Sequence, residues 1–402
     1  MLFTKLVLWP MLIFEERKMN YKTYLTTDIL DFWLENAIDE KEGGIFTQLD
    51  KEGKIYGTEK SVWFQGRALW TFAKAYNFVE KNQKYLNACH KIYSFLPRCG
   101  DENYRMAFTV TREGKTIQKR RYYFSETFAA IGCMEYYKAT NNMEAHDKAE
   151  KYFDVAYAIY KDSTLTTPKY QLKQKALSPV MIMLATAQVM RSGAKNPEKY
   201  NVIAKEMLDE IINGGYLNAT VGALLETVSS EGEFVNTPSG RVVNPGHSLE
   251  AAWFLISEGV FTGNEVAVNT GKKIIDITME SGLDQKNGGV IAFRDALGYP
   301  PVALEWDMKL WWPQCEGIIA NLMAYKVFGE EKYKKNYKAL MQYAIDNFAD
   351  KENGEWYGYL HYDNTPSNYL KGNIFKGPFH LPRMLMIVNS LENGETIEAF
   401  LR

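Results

Sequence analysis

The chain alternates helical segments with two kinds of connection, and this alternation is the feature that most restricts its fold. Apolar residues recur at the spacing of an amphipathic helix in about twelve segments. We expect helices at 21–36, 60–80, 83–97, 124–139, 143–161, 176–192, 197–213, 247–260, 264–281, 307–328, 330–348 and 377–392. Tight turns join some neighbours and long segments join others, which predicts an all-α fold of stacked helix pairs. Six pairs closed into a ring form an (α/α)6 barrel; an open solenoid is the alternative.

Three of the long connections share a pattern. They read EKEGGIFTQLDKEGKIY, DQKNGGVIAFRDALGYP and DKENGEWYGYLHYDNTP, each with an acidic start, a glycine turn and alternating apolar residues. Such segments predict short β-hairpins or curled strands, and residues 104–124 predict another hairpin. In a barrel of helix pairs the long connections gather at one mouth, where a ligand would bind.

The two ends of the chain differ in character. Residues 1–18 are apolar at first, but Pro10 interrupts them, and no small-residue cleavage site follows. They are too short for a membrane span and poor as a signal peptide, so we expect translation to begin at Met19 and 1–18 to be an extension. Residues 19–402 contain no linker or charge block, which favours a single domain.

Charge and cysteine content exclude several classes of partner. The net charge is −2, which argues against a surface that binds nucleic acid and against a polybasic face that binds a membrane. The four cysteines are far apart and lack a C-x-x-C spacing. This indicates a reducing, cytoplasmic compartment rather than a disulfide scaffold or a zinc ribbon.

Four stretches carry polar side chains where a buried helix face would otherwise be apolar. The stretches are SVWFQGRALW with Arg67, NPGHSLEAAW with His247 and Glu250, EWDMKLWWPQCEG with Trp311 and Glu316, and GNIFKGPFHLPRML with His380 and Arg383. Both histidines follow turns marked by Gly and Pro, and each has a charged residue three positions later. Residues i and i+3 share a helix face, so we expect Glu250 beside His247 and Arg383 beside His380.

Three chemistries compete for these residues. A metal site could draw on His247, Glu250 and Glu316, but no recognised ligand spacing is present, and we expect no metal. A glycosidase needs two carboxylates across the scissile bond, and the sequence offers no privileged pair. Two histidines 133 positions apart also suit proton exchange at a carbon next to a carbonyl, since an unperturbed histidine titrates near neutral pH. As a fourth interpretation, either His247 or His380 is a buried histidine with a structural role alone.

The motifs resemble those of the N-acylglucosamine 2-epimerase family. The resemblance runs in order through DFWLENAIDEKEGGIFTQLDKEG, EKSVWFQGR, FSETF, NPGHSLEAAW, KLWWPQCEG and FKGPFHLPR, from about residue 20 onward. It implies an (α/α)6 barrel and a C2 epimerisation that interconverts N-acetylglucosamine and N-acetylmannosamine. It also implies that His247 and His380 are the acid/base pair and that Arg67 stabilises an oxyanion. Glu250, Glu316, Trp311 and Arg383 are expected to orient a histidine or to bind the sugar.

Further expectations come from the same resemblance. Cellobiose 2-epimerases and mannose isomerases in the wider superfamily carry another histidine in the helix that here reads ALSPVMIMLATAQ, and its absence favours the N-acyl sugar branch. Gln314 stands where many relatives have histidine, which leaves the substrate less defined than the reaction. We expect no required cofactor, ATP as an effector that is not consumed, an amino-sugar substrate and a homodimer.

Overall fold

The computed structural model describes residues 19–120, 123–165 and 174–401. The first helix, α1, is continuous through Tyr21–Thr23, a π-helical segment Tyr24–Leu30, and Asp31–Asn36. The others are α2 Val62–Lys74, α3 Gln83–Phe95, α4 Phe124–Thr140, α5 Met143–Lys161, α6 Leu177–Arg191, α7 Pro197–Asn213, α8 Pro245–Thr262, α9 Glu265–Ser281, α10 Trp311–Phe328, α11 Glu331–Asn347, α12 His380–Glu392 and α13 Ile397–Leu401. A π-helical turn, Ala75–Val79, extends α2.

The even-numbered helices α2 to α12 form an inner ring, and the odd-numbered helices α1 to α11 surround it. The inner helix α8 buries residues on nearly every side, whereas the outer helix α7 buries one stripe that includes Tyr200, Ala204 and Ile211. That difference follows from position, because an inner helix has neighbours all round and an outer helix has one dry face. Every inner helix begins after a long connection and ends at a short one. The long connections therefore meet at one end of the ring, which we call the mouth.

The ring closes between the last inner helix and the first. Thr71 of α2 donates a hydrogen bond to the carbonyl of Pro378, just before α12, at 2.6 Å. Trp70 packs edge-on against Phe379 with ring centroids 5.3 Å apart. Outside this junction, α1 packs on α12 and completes the sixth pair, so the two ends of the chain supply one pair between them. The predicted all-α (α/α)6 barrel is confirmed, and the open solenoid is excluded.

Helix boundaries differ from the predicted ones where strand pairing takes residues from a helix. The predicted start at 307 is wrong, because Met308–Leu310 pair with Tyr359–His361 and α10 begins at Trp311. The predicted start at 60 shifts to Val62 because Lys60–Ser61 form a strand. Helix α8 begins earlier than predicted, at Pro245, since Asn244 caps it by accepting from the His247 N–H at 3.1 Å.

Six small antiparallel sheets occupy the long connections in the described part of the chain. Their strands are β1 Gln48–Leu49, β2 Ile55–Gly57, β3 Lys60–Ser61, β4 Thr109–Val110, β5 Thr116–Gln118, β6 Gln174–Ala176, β7 Leu217–Asn218, β8 Ala223–Leu224, β9 Thr227–Ser229, β10 Val242–Val243, β11 Arg294–Asp295, β12 Met308–Leu310 and β13 Tyr359–His361. The pairs are β1–β2, β4–β5 and β7–β8 as local hairpins, β3–β4, and the longer-range pairs β6–β9, β10–β11 and β12–β13. The predicted hairpin within 104–124 is present as β4–β5.

The shared pattern of the three long connections reflects one repeated contact. An aspartate at or directly before the start of each connection accepts hydrogen bonds from two backbone N–H groups of its own turn. Each aspartate also pairs with a fully buried lysine from a neighbouring segment: Asp39 with Lys60 at 2.9 Å, Asp284 with Lys309 at 2.6 Å, and Asp350 with Lys371 at 3.0 Å. These pairs fasten the connections to the barrel wall around the mouth.

Two glutamines hold the same connections to inner helices. Gln65 of α2 accepts from the Ile45 N–H and donates to the Ile45 carbonyl, both at 2.9 Å. Gln314 of α10 forms the equivalent pair with Val290, at 2.8 and 2.9 Å. We call each of these glutamine–backbone pairs a clamp. Arg67 follows Gln65 by two positions and Glu316 follows Gln314 by two, so each clamp fixes the part of its helix that carries a candidate site residue.

The predicted extension, 1–18, lies outside the described residues. Among the helices that the structure describes, none combines the length and apolarity that a membrane span requires.

Candidate active site

A cavity of about 300 Å³ lies inside the inner ring and contains most of the predicted site residues. Its volume is at the lower end of the range for small-molecule sites. Trp63, Arg67, Trp70 and Lys74 of α2 all line it, at the three- and four-residue spacing of one helix face. From Trp63 to Lys74 the helix rises about 16 Å, so the cavity is a narrow bore along the barrel axis.

His247 stands in the first turn of α8, on the cavity wall near the mouth. Its Nδ1 atom lies 2.9 and 3.1 Å from the two carboxylate oxygens of Glu226, between strands β8 and β9. An ionised carboxylate only accepts hydrogen bonds, so Nδ1 carries the proton of this contact and Nε2 is left for other partners. Glu250, which was expected to orient or charge His247, accepts a hydrogen bond from Arg383 instead, and its charge contributes to raising the pKa of His247.

His380 begins α12 and is held by a different carboxylate. Its Nδ1 atom lies 2.8 Å from Oε1 of the fully buried Glu316. The same Oε1 accepts from Arg383 Nη2 at 2.8 Å, and Oε2 accepts from Trp253 Nε1 at 2.8 Å. Glu316 is therefore satisfied on both oxygens, and this fixes the ring of His380. The expectation that Glu316 orients a histidine and that Arg383 lies beside His380 agrees with this geometry.

Arg383 also neutralises the negative charge of two nearby carboxylates. It donates to Glu250 Oε1 at 2.6 Å and to Glu316 Oε1 at 2.8 Å. Glu250, Glu316 and His380 place one ligand atom each within 4.8 Å of one another, which is a spacing that could hold a metal ion. The Arg383 guanidinium supplies a positive charge to both carboxylates, so these residues form an ion-pair network.

Arg67 is a half-buried cation with no carboxylate within ion-pairing distance among the described residues. Its guanidinium lies 4.0 Å from the ring centroid of Phe128 and 4.8 Å from that of Phe379, and its Nε atom has no hydrogen-bond partner. Burial lowers the pKa of Arg67 to about 9. An unpaired guanidinium among aromatic rings offers its donors to an anionic or polar group in the cavity.

Trp312 joins the two histidines. Its ring centroid lies 5.2 Å from His247 and 5.7 Å from His380, with both imidazoles tilted 41° to the indole. Trp311, which was expected to orient a histidine or to bind the sugar, is only 3% exposed and packs edge-on against Tyr359 and against His380, with the ring centroids of Trp311 and His380 6.2 Å apart. Trp312 contacts both histidines and Trp311 only His380, because adjacent helix residues point about 100° apart.

The two histidines have opposite electrostatic environments. Burial by itself would lower the pKa of His247, but the charge and hydrogen bond of Glu226 outweigh it and raise that pKa above the usual value. Burial lowers the pKa of His380 well below its usual value, and the positive charges of Arg383 and Arg67 lower it further. Near neutral pH this arrangement favours a protonated His247 and a neutral His380.

The structure thus brings together His247, His380, Arg67, Glu250, Glu316 and Arg383, as the four stretches of sequence predicted. Sequence reasoning missed Glu226 as a partner of His247, and it missed Trp312. The alternation around Glu226 marks it as a strand-end residue, but its position beside His247 depends on the pairing of β6 with β9. The one available signal was that Glu226 lies in a connection at the expected mouth.

Comparison with known proteins agrees with the fold. The family model described as N-acylglucosamine 2-epimerase (GlcNAc 2-epimerase) matches residues 44–376. An N-acylglucosamine 2-epimerase from Bos taurus is 32% identical, over 91% of this chain and 89% of the relative. Cellobiose 2-epimerase from Bacillus thermoamylovorans B4167 superposes with a TM-score of 0.80 at 20% identity, over 92% of this chain and 97% of the other. A D-mannose isomerase superposes with a TM-score of 0.82 at 18% identity, over 96% and 100% of the two chains. The chain belongs to the N-acylglucosamine 2-epimerase family.

Proposed function

We propose that this protein is a carbohydrate 2-epimerase that interconverts N-acetylglucosamine and N-acetylmannosamine. The observation that carries the proposal is the arrangement of two imidazoles on one indole, each with its own carboxylate. His247 has Glu226, His380 has Glu316, and Trp312 contacts both rings. Two-base proton exchange requires two such groups with different charge states, which a glycosidase does not need.

Once the sugar ring is open, the proposed reaction only moves protons at C2. The sugar ring opens, and the neutral histidine removes the proton from C2, next to the C1 aldehyde. The electron pair left at C2 moves into the carbonyl, which gives an enediolate with its negative charge on the C1 oxygen. The protonated histidine then returns a proton to C2 from the opposite face, and ring closure gives the epimer. No electrons are gained or lost, so the reaction requires no redox cofactor.

Arg67 is proposed to stabilise the enediolate oxygen. It is a half-buried cation without a carboxylate partner among the described residues, so its donors are free to meet a charge that develops during the reaction. The six inner helices also point their N-termini at the mouth, and the partial positive charge of those ends favours an anion there. Both effects act inside the inner ring, where electrostatic interactions are stronger than in bulk water.

The charge states of the two histidines support the assignment of roles. The pKa of His247 is raised and that of His380 is lowered, so at neutral pH the protein carries one acid and one base in the site. His380 is the base and His247 the acid in one direction, and the roles exchange in the other. Glu226 and Glu316 hold the Nδ1 protons, which leaves Nε2 of each ring to exchange a proton with C2.

A product assay in deuterated water tests the proposal. N-Acetylmannosamine incubated with the protein in D2O is expected to give N-acetylglucosamine with deuterium at C2, read by proton NMR. Mannose and cellobiose are run in parallel. Faster formation of fructose from mannose, or of glucosyl-mannose from cellobiose, would assign the site to a different sugar. Absence of both product and label with the N-acetyl sugar would refute the proposal.

We also propose a cytoplasmic homodimer that responds to ATP without consuming it. Cys89, Cys99, Cys133 and Cys315 are buried free thiols, which suits a reducing compartment. Exposed apolar side chains on the connection before α10, such as Val302, Leu304 and Trp306, offer a surface for a second copy. The role of ATP rests on family resemblance alone. Light scattering tests the dimer, and assays with ATP and with a non-hydrolysable analogue test the effector.

A further inference from the structure

The bore inside the ring is arranged in three layers along its axis. The upper layer, nearest the mouth, consists of Arg67, His247, Glu250 and Arg383. Ile131, Ala185 and Phe254 form an apolar band about one helical turn deeper, and Met181 and Ile182 continue this band up to the level of the upper layer. At the end far from the mouth is a lower polar layer formed by Lys74, Glu135, Gln188 and Ser192. On α2 the step from Arg67 to Lys74 corresponds to about 10 Å of depth.

The apolar band presents unfilled apolar surface inside the barrel. On the inner helix α6, Ile182, Ala185 and Val189 face the bore at helical spacing and are only half-buried, although the ring surrounds them. Their neighbours Met183, Leu184 and Ala187 on the same helix are fully buried. The exposed stripe therefore belongs to the cavity, and the small side chain of Ala185 leaves room at its centre.

The lower layer marks the end of the bore. Lys74 is buried, and its Nζ atom donates to the Phe400 carbonyl at 2.8 Å. Burial lowers the pKa of Lys74 to about 8. Glu135, opposite in charge, is held by Asn77 at 2.7 Å and by Lys138 at 3.1 Å. Phe400 and Leu401 of α13 also line the cavity at this end.

We infer that the apolar band binds the N-acyl group of the substrate and accepts straight aliphatic acyl chains longer than acetyl. This inference rests on the proposed function, because it places C2 at the histidines. The acyl nitrogen is bonded to C2, so the acyl chain starts beside the upper layer, the level up to which the band extends. Among the described residues at this depth, the hydroxyl of Thr186 already donates to the Ile182 carbonyl, so burying sugar hydroxyls in the band would be unfavourable. They are therefore directed toward the mouth, and the acyl chain extends inward.

The lower layer limits the length of the chain. Each methylene that enters the band gains the hydrophobic transfer free energy, which improves binding about three- to fourfold. A methylene that reaches Lys74 and Glu135 gains nothing and desolvates charged groups. The expected ligand class is thus an N-acyl hexosamine with an aliphatic acyl group of intermediate length.

The test is a chain-length series with N-acetyl, N-butanoyl and N-hexanoyl mannosamine. For the unaltered protein, kcat/KM for the butanoyl sugar is expected to exceed that for the acetyl sugar about tenfold, mainly through KM. Ala185→Leu fills the centre of the band and should bring the butanoyl-to-acetyl ratio to about one or below. Val189→Leu, one turn deeper, should reduce the hexanoyl-to-acetyl ratio more than the butanoyl-to-acetyl ratio.

Val202→Leu provides the matched control, since Val202 is exposed on the outer helix α7 and its variant should keep the wild-type ratios. The same series measured as Kd by titration calorimetry separates this inference from the proposed function. A protein that binds longer acyl sugars more tightly without turning them over would retain the acyl site and lose the epimerase assignment. A flat series in both assays, or ratios that Ala185→Leu leaves unchanged, would overturn the inference.

Discussion

Glu226 and His247 form a carboxylate–imidazole pair, with Oε2 2.9 Å from Nδ1, although 21 residues separate them. The corresponding pair at the second histidine, Glu316 with His380, has nearly the same distance, 2.8 Å. The two pairs differ in their surroundings, because Arg383 adds positive charge to the second and no arginine contacts the first among the described residues. The pKa of His247 is accordingly raised above its usual value and that of His380 is lowered.

Replacing Glu226 should move the alkaline limb of the pH profile. Activity requires one proton shared by the two histidines, so kcat/KM should be bell-shaped, with its acid limb where His380 gains a proton and its alkaline limb where His247 loses one. Since Glu226 raises the pKa of His247, Glu226→Gln should lower that pKa and shift the alkaline limb to lower pH. The measurement is kcat/KM against pH for both proteins.

Glu250→Gln is the comparison for this experiment. Glu250 is nearer to His247 in sequence but pairs with Arg383, and its charge raises the pKa of His247 less than Glu226 does. We expect a smaller shift of the alkaline limb with this variant. Equal shifts from the two variants would contradict the assignment of Glu226 as the partner of His247.

Removal of either histidine should separate proton exchange from epimerisation. His247→Ala and His380→Ala are each expected to lower kcat/KM by at least about 10²-fold, the low end for general acid–base catalysis. The histidine that remains can still remove and return a proton on its own face of C2. We therefore expect slow deuterium incorporation into one epimer without inversion, read by NMR in D2O. Full retention of epimerisation by either variant would rule out the two-histidine mechanism.

These site residues were predicted with uneven success, for a physical reason. The helix period and the turn residues predicted the inner helices and the four stretches that carry Arg67, His247, Glu316 and His380. The partner of His247 could not be predicted, because the i+3 rule favours Glu250 and takes no account of a strand from another connection. Strand β9 brings Glu226 to the mouth only by pairing with β6, and that register is a long-range contact.

Arg67 should act mainly on kcat. Arg67→Met removes the unpaired guanidinium and should lower kcat about 10²- to 10³-fold, the range for loss of an oxyanion donor. Arg67→Lys keeps a charge but loses the planar fork, so an intermediate loss is expected. Steady-state kinetics at saturating N-acetylmannosamine distinguishes the effects. A rise in KM with unchanged kcat would instead make Arg67 a residue for ground-state binding.

Gln314 should contribute stability that a same-sized apolar side chain cannot replace. Gln314→Leu leaves the Val290 N–H and carbonyl unpaired in a buried position. Each unsatisfied group costs about 1–3 kcal/mol, so we expect the free energy of unfolding to fall by about 3 kcal/mol. Urea titration followed by circular dichroism measures it. Gln83→Leu, on the exposed surface of α3, should stay within about 0.5 kcal/mol of the wild type; a similar result for Gln314→Leu would disprove the clamp.

Gly66 should couple the packing of two inner helices to catalysis. A Cβ atom at this position would lie 2.4 Å from the carbonyl carbon of Phe128, so Gly66→Ala must push α2 away from α4. Overpacking of this kind costs about 1–3 kcal/mol. Because Arg67 is the next residue, the displacement should also lower kcat. Gly271→Ala is the control, since its Cβ would lie 2.6 Å from the Ala252 carbonyl oxygen between α8 and α9. That variant should lose stability by a similar amount but keep the kcat of its folded fraction, so an equal loss of kcat in both variants would show that packing alone, and not the position of Arg67, is responsible.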